Sequence, residues 1–270
     1  MRLDHLLSRE FYLLGRSIAF AIAYLAFYLP STIQLLIFVP NSPKTVDYSD
    51  KIYKPEIEWS CNVSLGRVST ASGIVLAGGK SLRLGRVKAL ERINKQRLIE
   101  RTIECLSPTA QTVFVVTSLE QFDVIAASLT NVRVVVDLYP GKGALGGIYT
   151  GLAFSETPYS LVVGCDMPFL NRELMYYMLE STDGFDAIVP RVTGMVEPLH
   201  AVYSKRCLAP IREMMEENKL EISRLFTRVK TRYVSEDELK KLDQQGLSFF
   251  NINTIADLRK ARRLVKQETN

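Results

Sequence analysis

Histidine is nearly missing from this 270-residue chain, which has only His5 and His200. The four cysteines, Cys61, Cys105, Cys165 and Cys207, are scattered and form no CxxC pair. Both scarcities speak against zinc sites built from His and Cys, and against acid–base mechanisms that turn on histidine. The thiols read as the reduced cysteines of a cytoplasmic protein. No basic run appears, and the net charge is +5 from 34 Lys+Arg against 29 Asp+Glu, so no nucleic-acid partner is expected. Nor does a composition of 47% apolar and 23% charged residues suit a disordered or fibrous chain.

What is present divides near residue 68. Residues 17–39 (SIAFAIAYLAFYLPSTIQLLIFV) carry no charge. As a helix at about 1.5 Å per residue this segment would cross a hydrocarbon core of about 30 Å. Pro30 interrupts it, and Ser31, Thr32 and Gln34 follow, so the helix would kink or split. Arg2, Arg9 and Arg16 before it are balanced by Lys44, Lys51 and Lys54 after it, which sets no orientation. Residues 40–68, with Pro40, Pro43 and Pro55, read as an irregular linker. The extension is expected to be either a membrane anchor or the result of a start placed too far upstream. The expected species is a soluble one of about 200 residues, because Pro30 weakens the helix.

From residue 69 to 270 short apolar runs alternate with amphipathic stretches. Residues 72–76, 112–117, 132–136 and 161–164 read as buried parallel strands. Residues 97–106, 120–129, 147–155 and 172–180 read as the helices between them, which predicts an α/β sheet covered on both faces. Further strands are expected at 187–190, 199–203 and 249–252, and helices at 205–218 and 222–229. A last helix starts with Thr254 as its cap and Asp257 three residues on.

Three segments carry the chemistry. In residues 73–90 (GIVLAGGKSLRLGRVKAL) a strand runs into Gly78-Gly79, followed by Arg83 and Lys88. Glycines there let backbone N–H groups approach an anion, and the cations suit a polyphosphate. The spacing is neither that of a Walker loop nor a Rossmann GxGxxG. In residues 162–170 (VVGCDMPFL) Asp166 ends an apolar strand, where a carboxylate suits Mg²⁺ shared with substrate phosphates; a helix cap would also explain it. Asp137 ends the preceding strand in the same way, before a second glycine-rich turn at 141–147. In residues 249–258 (FFNINTIADL) Asn251 and Asn253 alternate with apolar residues, so their amides are expected on one face. Glu197 is a weaker candidate to face substrate, and His200 on an apolar strand reads as structural.

On LAGGKSLRLGRVKAL at 76–90, GALGG at 143–147, CDMPFL at 165–170, PLHAVY at 198–203 and FFNINTIADL at 249–258, residues 71–268 resemble the molybdenum cofactor guanylyltransferases, the MobA-like nucleotidyltransferases. The resemblance implies a Rossmann-like nucleotidyltransferase fold with a mostly parallel sheet. It implies transfer of GMP from GTP to molybdenum-bound molybdopterin, with release of pyrophosphate and use of Mg²⁺. It also implies that Leu76, Ala77, Gly78, Gly79, Lys88, Asp137 and Asp166 bind the nucleotide. Asp166 would hold the metal, Lys88 and Arg83 the phosphates, and Asn251 and Asn253 the pterin side. Molybdoenzymes would receive the product. Leu84 and Ala144 stand where the family usually has Met and Pro, and residues 1–68 have no counterpart. A molybdopterin cytidylyltransferase, a sugar-phosphate nucleotidyltransferase and a membrane-tethered, non-catalytic nucleotide-binding module are the competing readings.

Overall fold

The computed structural model describes residues 71–78 and 87–268. The apolar segment 17–39, the linker to residue 68 and the loop residues 79–86 lie outside the described residues.

Strand β1 (Ala71–Leu76) is buried along its length and pairs in parallel with β4 (Val113–Thr117) on one side and β6 (Tyr159–Gly164) on the other. Beyond β4 lies β5 (Arg133–Val136), again parallel. Beyond β6 lies β9 (His200–Ser204), which runs antiparallel both to β6 and to β7 (Ala187–Val192). Strand β10 (Thr231–Val234) closes that edge parallel to β7, and the short β8 (Met195–Val196) folds back on β7. Among the described residues the sheet order is therefore β10-β7-β9-β6-β1-β4-β5. A two-stranded ribbon, β2 (Arg92–Ile93) with β3 (Gln96–Arg97), stands apart from it.

Alternation along each central strand assigns its side chains to two cores. Val75, Val115, Leu161 and Val163 face α1 (Leu98–Leu106), α2 (Leu119–Ala126), α4 (Arg172–Glu180) and α6 (Glu236–Leu242). Ile74, Val116 and Val162 face α3 (Gly143–Phe154) and α5 (Leu208–Glu216). Each such fully buried aliphatic side chain contributes about 1.5–3 kcal/mol, so both helical layers are held against the sheet. The C-terminal helix α7 (Ile255–Glu268) packs through Leu258 and Ala261 on Ile93, Leu98 and Ile252.

The expected strands and helices are found through β9, with ends shifted by a few residues. Residues 205–218 are a short 3₁₀ turn followed by α5, and 222–227 is a 3₁₀ helix. Residues 249–252 are not a strand. A 3₁₀ turn at Leu247–Phe249 leads into extended chain, and the Asn251 side-chain amide donates to the Phe249 carbonyl at 3.3 Å. That local bond competes with ladder pairing. The β2–β3 ribbon, strands β8 and β10 and helix α6 were not expected.

The chain visits β1, β4 and β5 towards one edge, then returns to β6 on the other side of β1. This reversal opens a crevice beyond the carboxyl ends of β1 and β6, the place where open α/β sheets bind ligands.

Candidate active site

Three residues far apart in sequence meet at that crevice. The Lys88 ammonium donates to Asp166 Oδ2 at 2.5 Å and to Asn253 Oδ1 at 3.0 Å. Lys88 and Asp166 are only 18% and 23% exposed, so the pair is shielded from much of the solvent screening that weakens surface ion pairs.

Each partner is held by its own element. Asp166 leaves β6 two residues after Gly164, and a Cβ on Gly164 would lie 2.5 Å from Asp166 Oδ1. Glycine is thus what lets the carboxylate fold back over the strand end. The Asp166 carbonyl accepts from the Ile252 amide at 3.0 Å, which ties the segment carrying Asn253 to the loop carrying Asp166. Asn253 is steadied from its other side by the cap of α7. Asp257 Oδ2 accepts from the amides of Asn253 and Thr254 at 3.0 and 2.8 Å, while Thr254 Oγ1 accepts from the Asp257 amide at 3.1 Å. This is the reciprocal cap that Thr254 and Asp257 announce in the sequence. Lys88 opens a short 3₁₀ turn, Lys88–Leu90, pinned by the buried Ala89.

On the β1 side, the Leu76 carbonyl accepts from the Cys165 amide at 3.1 Å and the Ala77 amide donates to Val116 at 2.8 Å. Both groups are spent within the sheet, so the backbone turns out of the ladder at Gly78. A Cβ there would come within 3.3 Å of the Ser118 amide nitrogen. Gly79 and Arg83 lie outside the described residues.

Asp137 does not reach the Lys88 cluster through any described contact. Its Oδ1 accepts from the Tyr139 amide at 3.0 Å and from the Thr150 hydroxyl at 2.9 Å, so it organises the turn that follows β5. The expected glycine turn at 141–147 is two structures. Gly141 and Gly143 adopt φ of +87° and +62° and make the turn. Gly146 and Gly147 lie inside α3, where Gly147 lets the helix approach Leu76; its Cβ would lie 3.2 Å from that side chain.

The two asparagines part company. Ile252 between them is fully buried, but Asn253 faces Lys88 while Asn251 turns to its own backbone. His200 is buried against Phe249, and burial lowers its pKa to about 4. It is a core residue, as its apolar strand suggests. Sequence reasoning missed Gly164, although a glycine just before a strand-end aspartate is a readable signal, and it missed Thr150, whose role depends on helix α3 meeting β5.

The donor set around Lys88 is one carboxylate and one amide oxygen, already converged on a cation. Among the described residues no group of three or more His, Cys, Asp or Glu side chains gathers. An ion held here would complete its shell with water and substrate phosphate, which is the habit of Mg²⁺ and not of zinc.

The family model of the MobA-like NTP transferase domain matches residues 73–233. The chain belongs to this family. A probable molybdenum cofactor guanylyltransferase of Pelotomaculum thermopropionicum is 38% identical over 71% of this chain and 92% of its own length. A molybdenum cofactor guanylyltransferase of Desulfosudis oleivorans is 30% identical over 74% and 98%. Among solved structures, molybdopterin-guanine dinucleotide biosynthesis protein A from Archaeoglobus fulgidus superposes with a TM-score of 0.64 at 28% identity, covering 73% of this chain and 99% of that one. Within the MobA-like family, then, this chain has the nucleotidyltransferase fold expected of it, with a sheet that is parallel except at β9 and β8.

Proposed function

We propose that this MobA-like enzyme transfers GMP from GTP to the molybdenum cofactor, forming the guanine dinucleotide cofactor and releasing pyrophosphate. The observation that carries the reading is the convergence of Lys88, Asp166 and Asn253 at the β1–β6 crevice. The similarity to guanylyltransferases over nearly their whole length supports it.

In this reaction a phosphate oxygen of molybdopterin attacks the α-phosphorus of GTP. The α–β bridging bond breaks, and its electron pair leaves with pyrophosphate. The nucleophile is already an anion, so no general base is required, in keeping with a site that lacks histidine. What the protein supplies is alignment and charge. Gly78 lets the nucleotide approach the backbone, Lys88 neutralises its phosphates, and Arg83 is assigned to the departing pyrophosphate. Asp137 orders the turn after β5 on the nucleotide side, and Asn253 orients Lys88. Asp166 with Asn253 would hold Mg²⁺. When bound, the ion supplies electrostatic stabilisation of charge developing on the phosphates. A GTP-dependent reaction suits a cytoplasmic location for the catalytic part, and the product would pass to molybdoenzymes. Among the described residues no helix is long and apolar enough to cross a membrane.

The test is pyrophosphate release from GTP and from CTP, with molybdopterin and Mg²⁺ present. Turnover with GTP alone is expected; turnover with CTP alone makes the protein a cytidylyltransferase, and none with either makes it a non-catalytic binder.

A further inference from the structure

The loop that carries Asp166 leaves the sheet after Gly164, so its carbonyls need donors that no ladder supplies. Within the loop, the Met167 amide reaches the Gly164 carbonyl only at 3.4 Å. Further support comes from helix α1, whose Arg101 and Cys105, four residues apart, share a face, with Thr102 beside them. All three donate to loop carbonyls: Thr102 Oγ1 to Cys165 at 3.4 Å, Arg101 Nε to Pro168 at 2.8 Å and Cys105 Sγ to Leu170 at 3.0 Å. A thiol is a weak donor, and the Thr102 hydroxyl also serves the Leu98 carbonyl at 3.1 Å, so the charged donor Arg101 makes the strongest of the three bonds. Its guanidinium carbon also lies 5.6 Å from the centre of the Phe169 ring. Phe169 in turn meets Phe250 edge-on at 5.8 Å, three residues before Asn253. One guanidinium thus braces the loop of Asp166 and, through two rings, the segment of Asn253. Those are the two residues that receive the Lys88 ammonium.

We propose that Arg101 is a positioning residue for the transfer reaction: by holding Pro168 and Phe169 it fixes Asp166, and with it the Lys88 ammonium, at the carboxyl end of β6. The proposal rests on the guanylyl-transfer reading above. Arg101 acts through the chain and not on the nucleotide, since its bond goes to a backbone carbonyl two residues beyond Asp166. A guanidinium suits this task because it donates in its plane while its face rests on a ring. Catalysis by alignment makes such a brace matter, because a displacement of about 1 Å, even one that starts far from the chemistry, can cost about 100-fold in rate. The bonds from Thr102 and Cys105 would remain without Arg101, so a smaller loss is expected from its removal.

The experiment measures pyrophosphate release from GTP, with molybdopterin and Mg²⁺ present, by the full-length protein and by Arg101→Met, each with and without Asp166→Asn. Methionine keeps bulk over Phe169 and removes the donors. Hydrogen exchange of the backbone amides is followed in the same proteins by mass spectrometry. Arg101→Met is expected to lower kcat by about tenfold and to leave KM for GTP within about twofold, because the arginine orients groups and does not bind the nucleotide. In the Asp166→Asn background the same substitution should cost less than about twofold, since a residue that acts through the Asp166 charge has nothing left to position. The amides of Met167, Phe169 and Leu170 should exchange about tenfold faster in Arg101→Met, while those of β1 and β4 keep their native protection and show that the fold is intact. An equal loss of kcat in both backgrounds, or unchanged exchange in the loop, overturns the proposal. So does ordinary turnover in Asp166→Asn alone, which would leave no charge there to be positioned. If the native protein releases no pyrophosphate the transferase reading fails, and the exchange comparison by itself decides whether Arg101 holds the loop.

Discussion

Asp166 is where charge, fold and chemistry meet, and the consequences can be separated by substitution. Asp166→Asn keeps the shape but removes the charge, and turnover should fall by about two orders of magnitude or more, as when a key electrostatic group is lost. Gly164→Ala should do similar damage by a different route, because its Cβ would displace Asp166 Oδ1. The clash is with a side-chain oxygen and not with backbone, so stability should change by less than about 1 kcal/mol, and steady-state rates set beside urea unfolding would show the split. Lys88→Ala should weaken GTP and GDP by about tenfold or more while leaving guanosine nearly unchanged, the loss expected for one charge-assisted bond; equal losses for guanosine and GTP would remove Lys88 from the phosphates. His200 makes a prediction about pH. Its folded pKa of about 4 lies below the ordinary 6.5 because burial disfavours the charged ring. The unfolded chain therefore binds the extra proton first. The stabilisation is complete above pH 6.5 and is lost as pH falls from 6.5 through 4, by on the order of 3 kcal/mol. His200→Leu should flatten the stability profile in that window, as measured by denaturant unfolding at successive pH values. At this scale the sequence was informative where a residue's type limits its chemistry. Asp166, Lys88 and Asn253 could each be singled out from position alone. Their mutual contact could not, since 78 and 165 residues separate Lys88 from its two partners.

Helix α3 shows how one motif serves two elements. GALGG reads as a ligand loop, but only its first glycine has the positive φ of a turn. Gly147 lets α3 lie close against Leu76 of β1, while Gly146 packs on the Tyr139 turn. At Gly151, the next in the series, a Cβ would fall 2.5 Å from Ile74 Cγ2, and Ile74 is fully buried with nowhere to move. Gly151→Ala should therefore cost about 1–3 kcal/mol through overpacking, in spite of the better helix propensity of alanine. Denaturant unfolding would measure it, and a stabilised variant would refute the packing argument. Parallel strands such as β1 and β6 were legible because burial on both faces makes them continuously apolar. Strand β10 was not, because only Val234 at its end is buried. An edge strand of mixed polarity, made through pairing with β7, leaves little periodicity to read. The same holds for residues 249–252, whose apolar alternation is real but packs Ile252 into the cluster around α7 without a ladder.

For the whole molecule, the question is which part of the chain is needed. The family match begins at residue 73, and β1 begins at Ala71, whose carbonyl accepts from the Gln111 amide at 2.9 Å. Every described strand and every described site residue follows that point. Both helical layers are likewise closed by residues after 71, among them Leu106, Ile125, Leu152 and Met214. Residues 1–68 lie outside the described part, and the apolar stretch 17–39 would hold the enzyme at a membrane only if it inserts despite Pro30. A chain of residues 69–270 should fold with the same pH-dependent stability and turn over GTP at the full-length rate, because every described group of the crevice and its supports lies after residue 70. Activity lost from a truncated protein that still unfolds cooperatively would show that the extension reaches the site. Location is a separate matter from turnover. Cell fractionation with detection of the C-terminal part should find it in the soluble fraction if Pro30 weakens 17–39 as an anchor. A full-length product found only with membranes would make 17–39 an anchor, and it would also constrain orientation. GTP-dependent chemistry would keep residues 71–268 on the cytoplasmic side, which the balanced flanking charges permit but do not enforce.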